Sequence, residues 1–178
     1  MHEFYREYYD IYKRLAFDER IYPVLEEFKA LAERVREHNA KMIFAGNGAS
    51  AAISAHGAVD FTKQGKIRGI TFNEADLITC FANDFGYEKW LKMAIEYYFD
   101  KGDCIILISS SGTSKNIVNA AKYAKRKGIY LITFSGFDSK NPLRKLGKIN
   151  FWLNSKDYNI IESVHQIWLL SIVDSLLI

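Results

Sequence analysis

Two short runs of small residues carry the most readable chemistry in this chain: Gly46-Asn47-Gly48-Ala49-Ser50 and Ser109-Ser110-Ser111-Gly112-Thr113-Ser114. Each follows a short apolar run and leads directly into a stretch with helical periodicity. The first turn of a helix presents N–H groups with no intrahelical acceptor and the positive end of the helix dipole. Glycine lets the backbone approach an anion, and serine adds hydroxyl donors. A loop of this kind suits phosphate. One such loop reads equally well as a helix cap. Two of them, at the carboxyl ends of strands in an open α/β sheet, face a common crevice. The four hydroxyls of Ser109, Ser110, Ser111 and Ser114 also exceed what one cap requires.

Other constellations are weaker. Residues 46–51 fit G-x-G-x-x-A, and Glu74 stands where a ribose-binding acid would in a dinucleotide site. That reading leaves the serine run without a task and supplies no hydride-transfer apparatus, so no nucleotide cofactor is expected. His56 and Asp60 are spaced i, i+4 and share one helical face, a pairing common on any helix surface. His165 and Gln166 lie in the apolar C-terminal segment, where a lone histidine reads as a hydrogen-bonded core residue. Trp152 and Trp168 read as core or interface residues.

The elements that must hold these residues follow from periodicity. Residues 3–38 carry apolar positions at helical spacing in two runs, with Asp18 capping the second and Asn39 ending it. Short apolar runs then predict five strands at 42–45, 69–72, 104–108, 130–134 and 149–153. Helical stretches alternate with them at 50–63, 88–99 and 114–127, with a brief one at 142–146, and an amphipathic helix occupies the C-terminal stretch 160–178. This alternation predicts an α/β fold: a three-layer α/β/α sandwich on a five-stranded, mainly parallel sheet, flavodoxin-like or Rossmann-like, plus N-terminal helices. The length suits one domain, with a helical segment at 1–39 and an α/β core at 40–178.

Composition excludes several classes. The 24 Lys and Arg residues against 21 Asp and Glu give a net charge of +3, spread along the chain, so no nucleic-acid partner is implied. The densest basic run, Lys122, Lys125, Arg126 and Lys127, falls at a predicted helix end, where cations favour the negative end of the dipole. Cys80 and Cys104 lack metal or disulfide spacing and read as buried free thiols of a reducing compartment. The charged N-terminus has no signal-peptide core, and Glu162, His165, Gln166 and Asp174 interrupt the most apolar stretch. A cytoplasmic protein with no membrane partner is expected.

Together these residues resemble the SIS (sugar isomerase) family, in particular its phosphoheptose isomerase branch, over nearly the whole chain. Residues 46–50 look like that family's first substrate loop, Ala82-Asn83-Asp84-Phe85-Gly86 like its second, and 109–114 like its phosphate loop. By that similarity Ser109, Ser110, Ser111 and Ser114 bind the phosphate, and Asn47, Gly48, Ala49, Ser50, Asn83 and Asp84 meet the sugar or shape its pocket. The family's catalytic His and Glu on the following helix correspond to His56 and Asp60. Its Gln and His on the last helix correspond to Glu162 and Leu170, so one carboxylate is shortened and one histidine is absent. The resemblance implies an aldose–ketose isomerase acting on a sugar phosphate such as sedoheptulose 7-phosphate, with a role in carbohydrate metabolism and polysaccharide biosynthesis. His56, Asp60 and Glu162 would be the catalytic set and, with zinc, a three-ligand metal site with an open position. A homotetramer with sites between subunits is implied as well. The alternative is a noncatalytic SIS protein that senses a phosphosugar or binds a protein, resembling a relative that associates with the replication initiator and also lacks the terminal histidine.

Overall fold

Apolar runs too short for helices become the strands of one sheet: β1 (Lys41–Ala45), β2 (Arg68–Thr71), β3 (Cys104–Ile108), β4 (Tyr130–Ser135) and β5 (Ile149–Trp152). They are taken from a computed structural model that describes residues 1–178. The spatial order is β2-β1-β3-β4-β5, and every neighbouring pair is parallel. The sheet expected to be mainly parallel is therefore parallel throughout. All five residues of the central β3 are buried, as they must be in a strand covered on both faces. Alternation along the strands sorts the side chains into two cores. Met42, Phe44, Ile106, Ile132 and Phe134 face one, and Ile43, Ile105, Leu107 and Leu131 the other.

The first core is closed by α1 (His2–Ala16), α2 (Tyr22–Glu37), α3 (Ala49–Lys63) and α7 (Tyr158–Ser175). Phe28 of α2 stacks on Phe61 of α3 with ring centroids 5.7 Å apart. The Trp168 indole N–H donates to the Ala16 carbonyl at 2.9 Å, which ties α7 to the end of α1. The second core is closed by α5 (Trp90–Tyr98) and α6 (Lys115–Arg126), and α4 (Ala75–Phe85) adds Leu77, Ile78 and Phe81 at its margin.

The N-terminal helices, five strands and main crossover helices fall where periodicity puts them, with boundaries shifted by a residue or two. Asp18 is indeed a cap: its carboxylate accepts from the Arg20 amide at 3.0 Å, opening a short 3-10 helix, Glu19–Ile21, that leads into α2. Asn39 ends α2 with φ of 52°. Lys122, Lys125, Arg126 and Lys127 are exposed at the end of α6.

Three expectations are corrected. No helix forms at 142–146; the β4–β5 connection is a series of turns pinned by the fully buried Leu143. Residues 82–86, expected as a loop, are the last turn of α4 and the Gly86 that ends it with φ of 86°. Cys80 is exposed, because no residue of α4 is buried. Cys104 is buried as expected, and desolvation pushes its thiol far up, leaving it inert at neutral pH. No helix is long and apolar enough to cross a membrane.

The strand order positions the two loops. From β1 the chain moves outward to β2, and only then returns to the other side of β1 as β3. The carboxyl ends of β1 and β3 are therefore neighbours at a topological switch point, where open α/β sheets form a crevice.

Candidate functional site

The loop after β1 turns sharply into α3. A side chain at Gly46 would place its Cβ 2.5 Å from the Ser50 backbone carbon, so only glycine lets the loop fold against its own helix. Gly48, at φ 54° and ψ −125°, holds a backbone conformation that L side chains rarely adopt and supplies the residue before the helix. Ala49 and Ser50 are already helical, and Ser50 is buried with its carbonyl accepting from the Ser54 hydroxyl at 2.8 Å.

The serine loop is held at its ends and open in its middle. Ser109 donates its amide to the Phe134 carbonyl at 3.0 Å, and the Ser110 carbonyl accepts from the Gly136 amide at 2.8 Å. The amides of Ser110, Ser111 and Ser114 have no acceptor within the protein. Ser114 is the residue preceding α6, yet its side chain makes no capping bond; it accepts instead from the Ser109 hydroxyl at 3.2 Å. The hydroxyls of Ser111 and Thr113 lie 2.9 Å apart. Free amides, a cluster of hydroxyls and a helix N-terminus thus converge, which is the arrangement that binds an anion without a cationic side chain.

Both loops open onto one cavity of about 150 Å³, lined by Asn47 and Ser50 on one side and Ser109, Ser110, Ser111 and Ser114 on the other. Tyr158 and Glu162 of α7 close it. Glu162 is the only charged side chain in the lining, and its Oε1 accepts from the Ser110 hydroxyl at 3.2 Å. The two loops are also joined directly. Asn47 Nδ2 donates to Asn116 Oδ1 at 2.9 Å, and Asn116 Nδ2 donates to Asn47 Oδ1 at 2.8 Å.

His56 and Asp60 form the expected i, i+4 pair, with Nε2 and Oδ2 3.1 Å apart. The other ring nitrogen of His56 lies 3.3 Å from the side-chain amide of Gln166. Gln166 follows Glu162 by one helical turn, so Glu162 and Gln166 share the face of α7 that fronts the loop and α3. The two carboxylates nevertheless stand at different places on this seam, Glu162 on the serine loop and Asp60 on His56. No group of three or more His, Cys, Asp or Glu side chains is gathered to hold a metal ion. His56, Asp60 and Glu162 are thus not gathered into one such group within a single chain.

Asn83 and Asp84 do not line the cavity. Both are exposed on the last turn of α4, with Asn83 Nδ2 donating to Asp84 Oδ1 at 3.0 Å. His165 is a core residue. It is fully buried against Phe134 and Trp168, its Nε2 lies 3.2 Å from the Ser135 carbonyl, and burial pushes its pKa down to about 4. The sequence reading missed Tyr158, Asn116 and the contact made by Gln166. Asn116 and Tyr158 carry no local signal, since each acquires its place from a helix start packed against a distant loop.

Residues 4–136 match the model of the SIS domain. The phosphoheptose isomerase of Maridesulfovibrio salexigens is 34% identical over 148 residues, 80% of this chain and 71% of that protein. The solved phosphoheptose isomerase of Neisseria gonorrhoeae superposes with a TM-score of 0.85 at 22% identity, covering 98% of both chains. The Vibrio vulnificus NanR protein, solved in complex with ManNAc-6P, superposes with a TM-score of 0.67 at 19% identity, covering 87% of this chain and 53% of that one. The chain belongs to the SIS domain family, in its phosphoheptose isomerase-like branch.

Proposed function

We propose that this protein is a phosphosugar isomerase that interconverts an aldose and a ketose phosphate, with a seven-carbon phosphate of the sedoheptulose 7-phosphate type as substrate. The observation that carries the reading is the Ser110–Glu162 hydrogen bond: it sets a carboxylate at the mouth of an otherwise uncharged cavity of free amides and hydroxyls. Ser109, Ser111 and Ser114 hold the phosphate, and Asn47 faces the sugar. Isomerisation needs a base that moves a proton between adjacent carbons and donors that stabilise the enediolate oxygen. Glu162 serves as that base, and the hydroxyls and amide around it meet the developing charge. His56 and Asp60 extend the polar seam along α3. Identity of 34% to a phosphoheptose isomerase supports the class of reaction.

The protein works as a homotetramer with sites between subunits. Support comes from apolar surface left open in one chain. Val59 of α3 is 60% exposed, and α3, β2 and α4 border a groove of about 1090 Å³ that a second copy of the chain would cover.

A second reading is a phosphosugar sensor without catalysis. It is favoured by Leu170, a half-buried residue with no titratable group where the resemblance places a histidine, and by the structural likeness to NanR. Incubation with sugar phosphates in deuterium oxide, with and without zinc, separates the two. The isomerase reading predicts deuterium at the carbon next to the carbonyl by NMR. Binding by calorimetry without exchange under any metal condition would leave only the sensor.

A further inference from the structure

The free amides of the serine loop are useful to an anion only if the loop is held open before the ligand arrives. Beyond its own turn bond from the Gly112 amide to the Ser109 carbonyl, the loop is braced from outside: its carbonyls at Ser110 and Gly112 accept from Gly136 at 2.8 Å and Leu143 at 3.1 Å, both in the β4–β5 connection. That connection has no regular secondary structure between residues 136 and 148. Backbone turn bonds run along it, and one buried side chain, Asn141, ties its start to its middle. Its Nδ2 donates to the Ser135 hydroxyl at 3.1 Å, the Gly136 carbonyl at 3.2 Å and the Asp138 carbonyl at 2.9 Å. Its Oδ1 accepts from the Arg144 amide at 2.9 Å. A buried side-chain amide whose donors and acceptor are all engaged inside one connection is a template for that connection, since an unmet buried polar group is costly.

Asn141 also touches the serine loop directly. Gly112 has φ of 67°, and a Cβ placed there would lie 2.1 Å from Asn141 Oδ1. The backbone of the serine loop therefore rests on the Asn141 amide at the one residue whose lack of a side chain permits it, in a left-handed conformation that favours glycine. We propose that Asn141 is the positioning residue of the anion site: acting through Gly112, Gly136 and Leu143, it fixes the Ser110 and Ser111 amides in their open arrangement without touching the ligand. This rests on the reading of the serine loop as a phosphate site.

Titration of the intact protein with inorganic phosphate, followed by the amide resonances of Ser110 and Ser111 in ¹⁵N-resolved NMR, tests it. The wild-type protein should bind phosphate with shifts at these amides. Asn141→Ala should weaken phosphate binding at least tenfold, with both amides already displaced before phosphate is added. Asn141→Asp keeps the acceptor for Arg144 but exchanges both N–H donors for a carboxylate oxygen facing the Gly136 and Asp138 carbonyls, and should show the same displacement at least as strongly. Gly112→Ala perturbs the contact from the other side and should match Asn141→Ala, so the result does not hang on one variant that folds poorly. If the Asn141 variants melt earlier yet bind phosphate with unchanged affinity and unchanged Ser110 and Ser111 resonances, Asn141 is merely structural and the inference is overturned. If wild-type protein shows no phosphate shift at all, the phosphate-site reading fails and takes this inference with it.

Discussion

Asn47 and Asn116 exchange two side-chain hydrogen bonds, at 2.9 and 2.8 Å, across 69 residues of sequence. The pair fastens the first loop to the opening turn of α6, so the two phosphate-type loops cannot move apart without breaking it. Asn116 is buried, and losing it would leave Asn47 Nδ2 without an acceptor and Asn47 Oδ1 with only the long 3.5 Å bond from the Tyr87 hydroxyl.

Asn116→Ala is expected to destabilise the protein by about 1–3 kcal/mol, the cost of unsatisfied buried polar groups. Asn116→Asp keeps the acceptor for Asn47 Nδ2 but buries a carboxylate against Asn47 Oδ1, and should cost at least as much at neutral pH. The midpoint of urea unfolding, compared at constant m-value, measures both.

Glu162→Gln separates binding from chemistry, because glutamine still offers Ser110 an acceptor while its charge is gone. Exchange of deuterium into substrate should fall by about 10²- to 10⁴-fold, the usual contribution of a general base. Affinity for inorganic phosphate should rise by roughly fivefold, as removal of one nearby like charge is worth about 1 kcal/mol. An exchange rate left unchanged would remove Glu162 from the chemistry.

His165 makes stability depend on pH with a definite sign. Its pKa is about 4 in the folded protein, lowered by burial from an unfolded value near 6.5. As pH falls below 6.5 the unfolded chain takes up the proton and the folded one does not, so stability is lost until the pH reaches about 4. The full loss approaches roughly 3 kcal/mol. Urea midpoints measured from pH 7 to pH 4 should show this decline in the wild-type protein, and a shallower one in His165→Leu.

Much of this was legible in the sequence, and the exceptions have physical causes. The strands announced themselves because a parallel sheet buries both faces, making β3 an unbroken apolar run, Cys104–Ile108. The serine loop was legible because its residue types are the chemistry. The helix α4 was obscured because the same residues, Ala82 to Gly86, carry a loop-like motif, although Leu77, Ile78, Phe81 and Phe85 are spaced for a helix. The turns at 142–146 looked helical because Leu143 and Leu146 fall at i, i+3, yet Asn141 claims the surrounding backbone groups for turns. The divergence of Glu162 from Asp60 was out of reach: spacing places two residues on one helix face, but only tertiary packing decides which of two helices a third one meets.

The phosphate site itself is tested most directly by calorimetric titration of sedoheptulose 7-phosphate into the wild-type protein and into the Ser111→Ala, Ser114→Ala double variant. The geometry predicts binding by the wild type and a loss of about 2 kcal/mol, roughly thirtyfold in Kd, in the variant. Equal affinity in the two proteins would contradict it, because the hydroxyls bordering the shared cavity would then make no contact with the ligand.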